Sequence, residues 1–384
     1  MLHLSVPARG IAALALGLSL TATTGLAVTA SNPELPPNAS GHVALCPDGA
    51  AGGLETAIVP EADMEAAMTE GAVAAPCAVA PGADAYGAQL GENGYFVGEI
   101  ADGLYWVTEG FYQMMFLTTG EGVIVVDAPP SIGGERILSA IAEVTDEPIT
   151  HVIYSHTHAD HISAAGAFPP DAEYIAHADT AAQLETSLQN EFWGAFVGGG
   201  PVPLPTTTFE DGMTLEVGSQ VLELSTPSVL SHEPGNIFVY APAQNVLLHI
   251  DVIFPGWSPF KDLAQAEDVP GYLAVHDEIL AFGADTIITG HLSRLGTNED
   301  VEINKEYMAD IIAASTNALQ STDFLAVGGV TGFENGWLLF DTYFDELTAA
   351  CEAEVVPKWA DRLAGADIFT ADHCYKMYMS LRID

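Results

Sequence analysis

Hydrophobic and polar positions change their spacing along the chain in a way that predicts alternating strands and helices. From residue 94 onward, short apolar runs bounded by Gly, Asp and Pro predict strands, and the run 122–130 (GVIVVDAPP) predicts a buried strand that ends at Asp127. Helical spacing of apolar residues follows at 133–144, and 149–156 again has the character of a strand. This alternation is typical of a layered α/β domain.

A second series of strands is predicted after the first, and the chain then becomes helical. Strands are expected within 173–177, 213–227, 236–252 and 285–291, with helices at 178–192 and 269–282. After residue 296 the pattern is helical, and either Thr297 or Asn298 is expected to cap the first of these helices. We predict an α/β catalytic domain at 93–300 and a helical C-terminal extension at 301–384.

The first 92 residues differ from this pattern. Residues 1–30 predict a secretory signal peptide, because Arg9 precedes an apolar stretch and small residues precede a cleavage position near Ser31. An uncleaved membrane anchor is the alternative, which the Thr-rich second half of the segment disfavours. Residues 31–92 are rich in Ala, Gly, Pro and acidic residues and predict an irregular N-terminal extension. We therefore expect an exported protein, periplasmic or extracellular, with no stable membrane association after cleavage.

Four cysteines fall into two local pairs. Export makes disulfides plausible, and among three connectivities we expect Cys46–Cys77 and Cys351–Cys374, one in each extension.

The charge balance is strongly acidic, with 52 Asp and Glu against 9 Lys and Arg. The net charge of −43 excludes nucleic acid and anionic membrane surfaces as favoured partners, because both repel such a protein. A solubilising acidic shell, as in halophilic proteins, is the simplest interpretation; a surface made for a cationic partner is the alternative. The first interpretation predicts that activity and stability hold or rise in molar salt.

Candidate metal chemistry is concentrated in the stretch YSHTHADHIS, which contains His156, His158, Asp160 and His161. Three imidazoles and one carboxylate following a strand suit Zn²⁺ and also Fe or Mn ions. A closed structural zinc site is a weaker interpretation, since such sites usually contain Cys and fill the coordination shell with protein ligands.

This stretch resembles the H-x-H-x-D-H signature of the metallo-β-lactamase-fold hydrolases. The resemblance covers about residues 95–300 and implies an αββα sandwich with a binuclear metal site. It also implies three later ligands, for which His232, Asp251 and His291 are the candidates in this chain, and it assigns Asp127 a supporting role behind the ligands.

The same resemblance implies how the ligands are shared. One ion would be held by His156, His158 and His232, and the other by Asp160, His161 and His291. Asp251 would lie between two ions, expected to be Zn²⁺ with Fe or Mn as alternatives. The ions would activate a water molecule against a bound electrophile, and Asp160 is the candidate proton donor to the leaving group.

Two of the nine basic residues of the chain follow candidate ligands in sequence. Lys261 comes ten residues after Asp251, and Arg294 comes three residues after His291. Either could bind an anionic group of the substrate. The equally weighted alternative is an ion pair with one of the many acidic residues.

Aromatic residues also follow Asp251. Phe254, Trp257 and Phe260 form a candidate aromatic wall for the substrate, with packing in the core as the alternative. His249 is expected to lie behind the ligands or in the core.

These observations favour an exported binuclear zinc hydrolase that acts on a small-molecule carboxylic ester, lactone or amide. A β-lactamase-type amide hydrolase is one alternative, although zinc β-lactamases generally lack a carboxylate at the position of Asp251. A mononuclear iron dioxygenase of the same fold is another. Phe254 stands where quorum-quenching lactonases carry Tyr, and alkylsulfatases use additional acidic ligands that the sequence does not reveal. The oligomeric state is not predicted.

Overall fold

The structure, a computed structural model, describes residues 88–383 except 196 and 293, together with three short strands that precede them. These strands pair in the order β2-β1-β3, with antiparallel neighbours, and are β1 (His42–Cys46), β2 (Ala57–Pro60) and β3 (Val73–Ala74). The N-terminal extension, expected to be irregular, thus contains a small sheet. The predicted signal peptide and Cys77 lie outside the described residues, so the cleavage and the Cys46–Cys77 pairing stay predictions.

The first large sheet has seven strands in the order β10-β9-β8-β7-β6-β5-β4. Its strands are β4 (Phe96–Ala101), β5 (Leu104–Thr108), β6 (Gln113–Thr118), β7 (Val123–Val126), β8 (Ile149–Ile153), β9 (Glu173–His177) and β10 (Thr207–Phe209). Strands β4 to β7 form an antiparallel meander, whereas β7 to β10 are parallel.

The second large sheet has five strands in sequence order. They are β11 (Gly212–Val217), β12 (Gln220–Ser225), β13 (Phe238–Ala241), β14 (Val246–Leu248) and β15 (Thr286–Ile288). Strands β11 to β14 are antiparallel, and β15 lies parallel to β14.

The two large sheets pack face to face, and strand β7 shows why. All four of its residues are fully buried. Side chains alternate between the faces of a strand, so Ile124 and Val126 join the core between the sheets, whereas Val123 and Val125 face the helices on the outside. Because a strand that is buried on both faces needs apolar residues at every position, the sequence of β7 is the continuous apolar run VIVV.

Helices cover both outer faces. They are α1 (Gly134–Ala142), α2 (Ala159–Ile162), α3 (Ala178–Ser187), α4 (Lys261–Gln265), α5 (Val269–Ala281), α6 (Asn298–Ser321), α7 (Phe324–Thr331), α8 (Gly336–Trp359) and α9 (Ala366–Ile383). Helix α1 packs on the first sheet, and α5, α6, α8 and α9 share one core with the second sheet. The predicted αββα sandwich with a helical C-terminal extension is confirmed. No helix in the described part of the chain is long and apolar enough to cross a membrane.

Two details of the extension agree with the sequence. Thr297 rather than Asn298 caps α6, because Asp300 accepts hydrogen bonds from the backbone nitrogen and the hydroxyl of Thr297, at 2.9 and 3.0 Å. The predicted disulfide Cys351–Cys374 is formed and joins α8 to α9.

Candidate metal centre

The predicted ligands lie at one edge of the sandwich, where strands of both large sheets end. His156 and His158 follow β8, Asp251 follows β14 and His291 follows β15. Short turns after strands bring polar side chains together at this edge while their strands stay buried.

One group of four residues lies on the side of the first histidines. His156, His158, His232 and Asp251 each offer a ligand atom, and these atoms lie within 4.8 Å of one another. His158 Nδ1 is 2.9 Å from His232 Nε2, and Asp251 Oδ2 is 3.3 Å from His232 Nε2.

The second group continues the first. Asp160, His161 and His291 also place a ligand atom each within 4.8 Å of one another. Asp251 Oδ1 lies 2.9 Å from His291 Nε2, and its Oδ2 lies 3.1 Å from His161 Nε2. The carboxylate of Asp251 therefore touches both groups. We call these seven side chains the ligand cluster; the structure brings together every ligand position that the resemblance implied.

Electrostatic interactions within the cluster are strong. Burial raises the pKa of Asp251, but His161 and His291 outweigh this effect, so the pKa lies well below its usual value. Burial lowers the pKa of His156 to about 3. Burial also lowers the pKa of His161, but Asp251 and Asp160 reverse the shift and raise it to about 10. Because metal ions bind the deprotonated forms of these groups, an ion would replace the proton of His161.

The cluster fits divalent metal ions. His156 Nε2 and Asp251 Oδ1 are buried and have no hydrogen-bond partner among the described residues, although both point toward the other ligands. Buried polar atoms without partners are costly, and an ion would satisfy them. Five imidazoles and two carboxylates without a thiol suit Zn²⁺, Fe or Mn ions.

The ring of His232 is oriented by the backbone of α4. Its Nδ1 donates a hydrogen bond to the carbonyl oxygen of Ala264 at 2.7 Å, which leaves Nε2 to face the cluster. Helix α4 is a left-handed turn, with φ angles of 61°, 53°, 55° and 58° over the four residues 262–265. Residues with side chains rarely adopt this conformation, and such strain persists only where surrounding contacts impose it.

The C-terminal helix α9 supplies contacts that hold this turn. Asp372 accepts a hydrogen bond from the backbone nitrogen of Asp262 at 2.7 Å, and Lys376 lies 3.3 Å from the Asp262 carboxylate. His373 Nε2 donates to the carbonyl oxygen of Phe260 at 3.1 Å. The helical extension is therefore connected to a candidate metal ligand through one short turn.

Glu233 is a site residue that the sequence analysis missed. Its side chain is buried, and it accepts hydrogen bonds from the backbone nitrogen and hydroxyl of Thr157 at 2.6 and 2.8 Å. Its other oxygen lies 3.2 Å from His158 Nε2. This contact orients His158 so that Nδ1 faces the cluster. The only signal in the sequence was its position beside His232.

Tyr112 is the second residue that was missed. Its hydroxyl donates to Asp160 Oδ2 at 3.1 Å, and its ring centre lies 4.5 Å from that of His291. Burial and then Asp160 raise its pKa, so the phenol is protonated at neutral pH. In the sequence it begins an ordinary strand pattern, and no motif marks it.

Two residues predicted to lie behind the ligands occupy different environments. Asp127 is fully buried and accepts a hydrogen bond from the backbone nitrogen of Ser155 at 2.8 Å, so it anchors the turn that carries His156. Burial raises the pKa of Asp127 to about 6. His249 donates from Nδ1 to the Ile237 carbonyl oxygen at 3.0 Å and lies outside the ligand cluster, in the core.

A cavity of about 620 Å³ opens over the ligand cluster. All three members of the aromatic wall, Phe254, Trp257 and Phe260, line it. Phe111 and Tyr112, from the segment between β5 and β6, also line it. The wall therefore borders the site as well as packing against the core.

The two basic residues considered as substrate contacts, Lys261 and Arg294, do not line this cavity. Arg294 makes a two-pronged contact with Asp300, at 2.5 and 3.0 Å, and both side chains are mostly buried. Lys261 is 67% exposed and lies 3.4 Å from Asp372. For both residues the structure favours the ion-pair alternative over a contact with substrate.

Residues 107–291 match the profile of the Metallo-beta-lactamase superfamily. A solved metallo-beta-lactamase from Pontibacter korlensis resembles the chain with a TM-score of 0.46 and 19% identity, over 55% of this chain and 97% of the other.

Two curated relatives match about half of the chain or slightly more. The alpha subunit of 2,4-dinitroanisole O-demethylase from Nocardioides sp. (strain JS1661) is 24% identical over 231 residues, which are 59% of this chain and 64% of the relative. The linear primary-alkylsulfatase from Pseudomonas sp. (strain ATCC 19151) is 27% identical over 233 residues, which are 50% of this chain and 44% of the relative. The match thus covers less than two thirds of either relative.

Proposed function

Because residues 107–291 form a domain of the metallo-beta-lactamase superfamily, whose members are mostly metal-dependent hydrolases, we propose that this chain is a binuclear zinc hydrolase. Its proposed substrates are small carboxylic esters, lactones or amides. The observation that carries the proposal is the position of Asp251, whose Oδ1 lies 2.9 Å from His291 Nε2 of one group and whose Oδ2 lies 3.3 Å from His232 Nε2 of the other. A single-ion structural site has no need for a carboxylate shared in this way.

A bound pair of divalent ions would activate water as a nucleophile and polarise the carbonyl oxygen of the substrate. The protein residues then have distinct tasks. Asp160 stands at the open side of the cluster and is the proposed proton donor to the leaving group. The hydroxyl of Tyr112, beside Asp160, is a second hydrogen-bond donor for an oxygen that gains negative charge. The aromatic wall limits access of bulk water.

Metal analysis and a substrate panel test this proposal. Two zinc ions per chain, and chelator-sensitive turnover of at least one ester, lactone or amide, are expected. Asp251→Asn should lose metal and activity together, whereas Asp341→Asn, on the exposed surface of α8, should lose neither. Two bound ions without turnover of any of these substrates would contradict the hydrolase assignment to this class.

Glu233 favours a second candidate function, sulfate ester hydrolysis. The alkylsulfatases are expected to use additional acidic residues, and Glu233 places one 3.2 Å from His158. One curated relative is a linear primary-alkylsulfatase. A primary alkyl sulfate therefore belongs in the panel, together with a β-lactam. One iron ion per chain, instead of two zinc ions, would support the dioxygenase alternative.

Export to the periplasm or the extracellular space is also part of the proposal, because the first 30 residues have the pattern of a signal peptide. Amino-terminal sequencing of the protein recovered from the producing cells should find a mature chain that begins near Ser31. A chain that keeps residue 1 and stays in the membrane fraction would support the uncleaved anchor.

A further inference from the structure

Two of the segments that line the cavity over the ligand cluster are distant from each other in sequence. The aromatic wall follows β14, whereas Gly365 directly precedes α9 and Phe369 lies in the first turn of α9 in the helical extension. The ring centres of Phe260 and Phe369 are 5.2 Å apart in an edge-to-face arrangement, which is a favourable geometry for aromatic pairs.

Backbone contacts fix the two parts to each other. The backbone nitrogen of Ser258 donates to the carbonyl oxygen of Ala364 at 2.9 Å, and the backbone nitrogen of Ala364 donates to Gly256 at 3.0 Å. His373 adds the hydrogen bond to Phe260 already described. The hydrogen bonds to the extension therefore fix the backbone positions of the aromatic residues that line the cavity.

The lining leaves apolar rings exposed at the mouth of the cavity. Phe260 is 51% exposed and Phe111 is 72% exposed, although both border the cavity above a buried polar cluster. Exposed aromatic rings around a concave site are typical of surfaces that bind an apolar group.

Charge around the cavity argues against an anionic substrate, and therefore against the sulfate ester that Glu233 suggested as a second candidate. Among the described residues that line it, none is Lys or Arg. Arg294 and Lys261, the basic residues that follow His291 and Asp251 in sequence, form ion pairs with Asp300 and Asp372. Three carboxylates at the site, Asp160, Glu233 and Asp251, already offset most of the positive charge that two divalent ions would bring.

We propose that this cavity binds an uncharged substrate through an aromatic or branched alkyl group, which lies against Trp257, Phe260 and Phe369, so that the helical extension selects the substrate. The reaction performed on that substrate rests on the proposed function, whereas the binding of the apolar group does not. Phe260 and Phe369 are specificity-determining residues that leave the ligand cluster untouched.

A pair of matched ligands tests the binding step without any chemistry. Acetophenone has the shape of an aromatic ester without a cleavable bond, and 4-acetylbenzoate adds one negative charge to the same frame. Calorimetric titration of the metal-loaded protein should give a dissociation constant at least about tenfold lower for acetophenone. Equal or tighter binding of 4-acetylbenzoate, or no binding of acetophenone, would overturn the proposal.

Variants then locate the bound ring. Phe369→Ala should weaken acetophenone binding by about tenfold, because the ring loses an aromatic neighbour. Phe260→Ala should do the same and tests the proposal independently if the first variant does not fold, since Phe260 is half exposed. Phe333→Ala is the matched control, because Phe333 is 57% exposed in the same extension but does not line the cavity. Unchanged affinity in both Phe260→Ala and Phe369→Ala would place the ligand elsewhere.

Turnover separates this inference from the proposed function. Methyl benzoate should be hydrolysed faster than monomethyl terephthalate, which carries a carboxylate, and Phe369→Ala should reduce that preference. Selective binding of acetophenone without turnover of any ester, lactone or amide would refute the proposed function and keep the binding inference. Turnover of both esters at equal rates would refute the binding inference and keep the hydrolase.

Discussion

The floor and the sides of the cavity are built in opposite ways. The floor is a set of buried polar side chains, and most of its members follow the ends of strands β8, β14 and β15. The sides are apolar rings, partly exposed, from three segments: one between β5 and β6, one after β14, and the start of α9. The floor depends on directed contacts between nitrogen and oxygen atoms, and the sides depend on surface area. We therefore expect the floor to determine reactivity and the sides to determine substrate selectivity. Substitutions in one part should leave the other largely intact.

Removing a ligand from the floor should produce the largest effect. His156 is fully buried and does not line the cavity, so His156→Ala should abolish binding of at least one ion without touching the aromatic sides. We expect kcat/KM to fall on the order of 10³-fold, since the interaction acts on charge that develops during the reaction. Metal analysis and acetophenone titration check both halves of this prediction. A variant that keeps its metal, or loses acetophenone binding to the same extent, would show that floor and sides are not separable.

Opening the disulfide should act on the sides instead. Cys351–Cys374 closes a loop with a sequence separation of 23, and a chain-entropy estimate for such a loop is about 3 kcal/mol of stability. Because Cys374 is next to His373, Cys351→Ser should lower the midpoint of thermal unfolding and weaken acetophenone binding. The ligand cluster should still bind its metal ions at low temperature. Loss of metal at a temperature where the variant is folded would show that the disulfide also supports the ligand cluster that forms the floor.

Tyr112 belongs to both parts and sharpens the comparison. Tyr112→Phe keeps the ring against His291 but removes the hydroxyl that donates to Asp160. We expect kcat to fall by about 10- to 100-fold while the dissociation constant of acetophenone stays within about twofold. Steady-state kinetics on methyl benzoate measures the first value. An unchanged kcat would assign Tyr112 to the sides alone.

A pH effect on stability should come from His373, whose neutral ring bridges Tyr307 and the carbonyl oxygen of Phe260. Burial lowers its pKa to about 4, despite the opposing effect of the nearby Asp372 and Asp262 carboxylates. The unfolded chain therefore binds a proton at higher pH than the folded chain, and stability is lost as pH falls from about 6.5 toward 4. By pH 5 the loss from this one group should approach about 2 kcal/mol.

Chemical denaturation at pH 7 and pH 5 measures that loss. Since many carboxylates also titrate in this protein, the relevant quantity is the difference between the native chain and His373→Gln. The pH dependence of the variant should be shallower. Identical slopes in the two proteins would mean that His373 is not the group responsible.

Part of the floor could be predicted from a local pattern, because His156, His158, Asp160 and His161 lie within six positions directly after a predicted strand. The remaining ligand candidates, His232, Asp251 and His291, were implied only by the family resemblance. Thr297 was one of two candidate caps, and only the bonds with Asp300 decided between them. The alternation of elements predicted a layered α/β domain, and the family resemblance implied its αββα order.

The remaining parts depend on contacts between distant residues. Glu233 meets Thr157 across 76 positions, and Tyr112 meets Asp160 across 48, so neither pairing leaves a local pattern. Phe369 lies in a helix whose apolar residues would suit any packed core. The left-handed turn α4 contains no Gly, and of its residues only Asp262 has any tendency toward that conformation, so the sequence does not predict the turn.

The turn α4 also limits how this protein can change over generations. Its Ala264 carbonyl orients His232, and α9 holds the turn in place through Asp372 and Lys376. A lineage that replaced its helical extension to gain a new substrate would at the same time release the acceptor of a metal ligand. Substitutions within the extension, at positions such as Phe369, are therefore an easier route to new substrates than exchange of the whole segment. The aromatic residues of the extension can therefore vary without harm to the metal site only as long as helix α9 itself is retained.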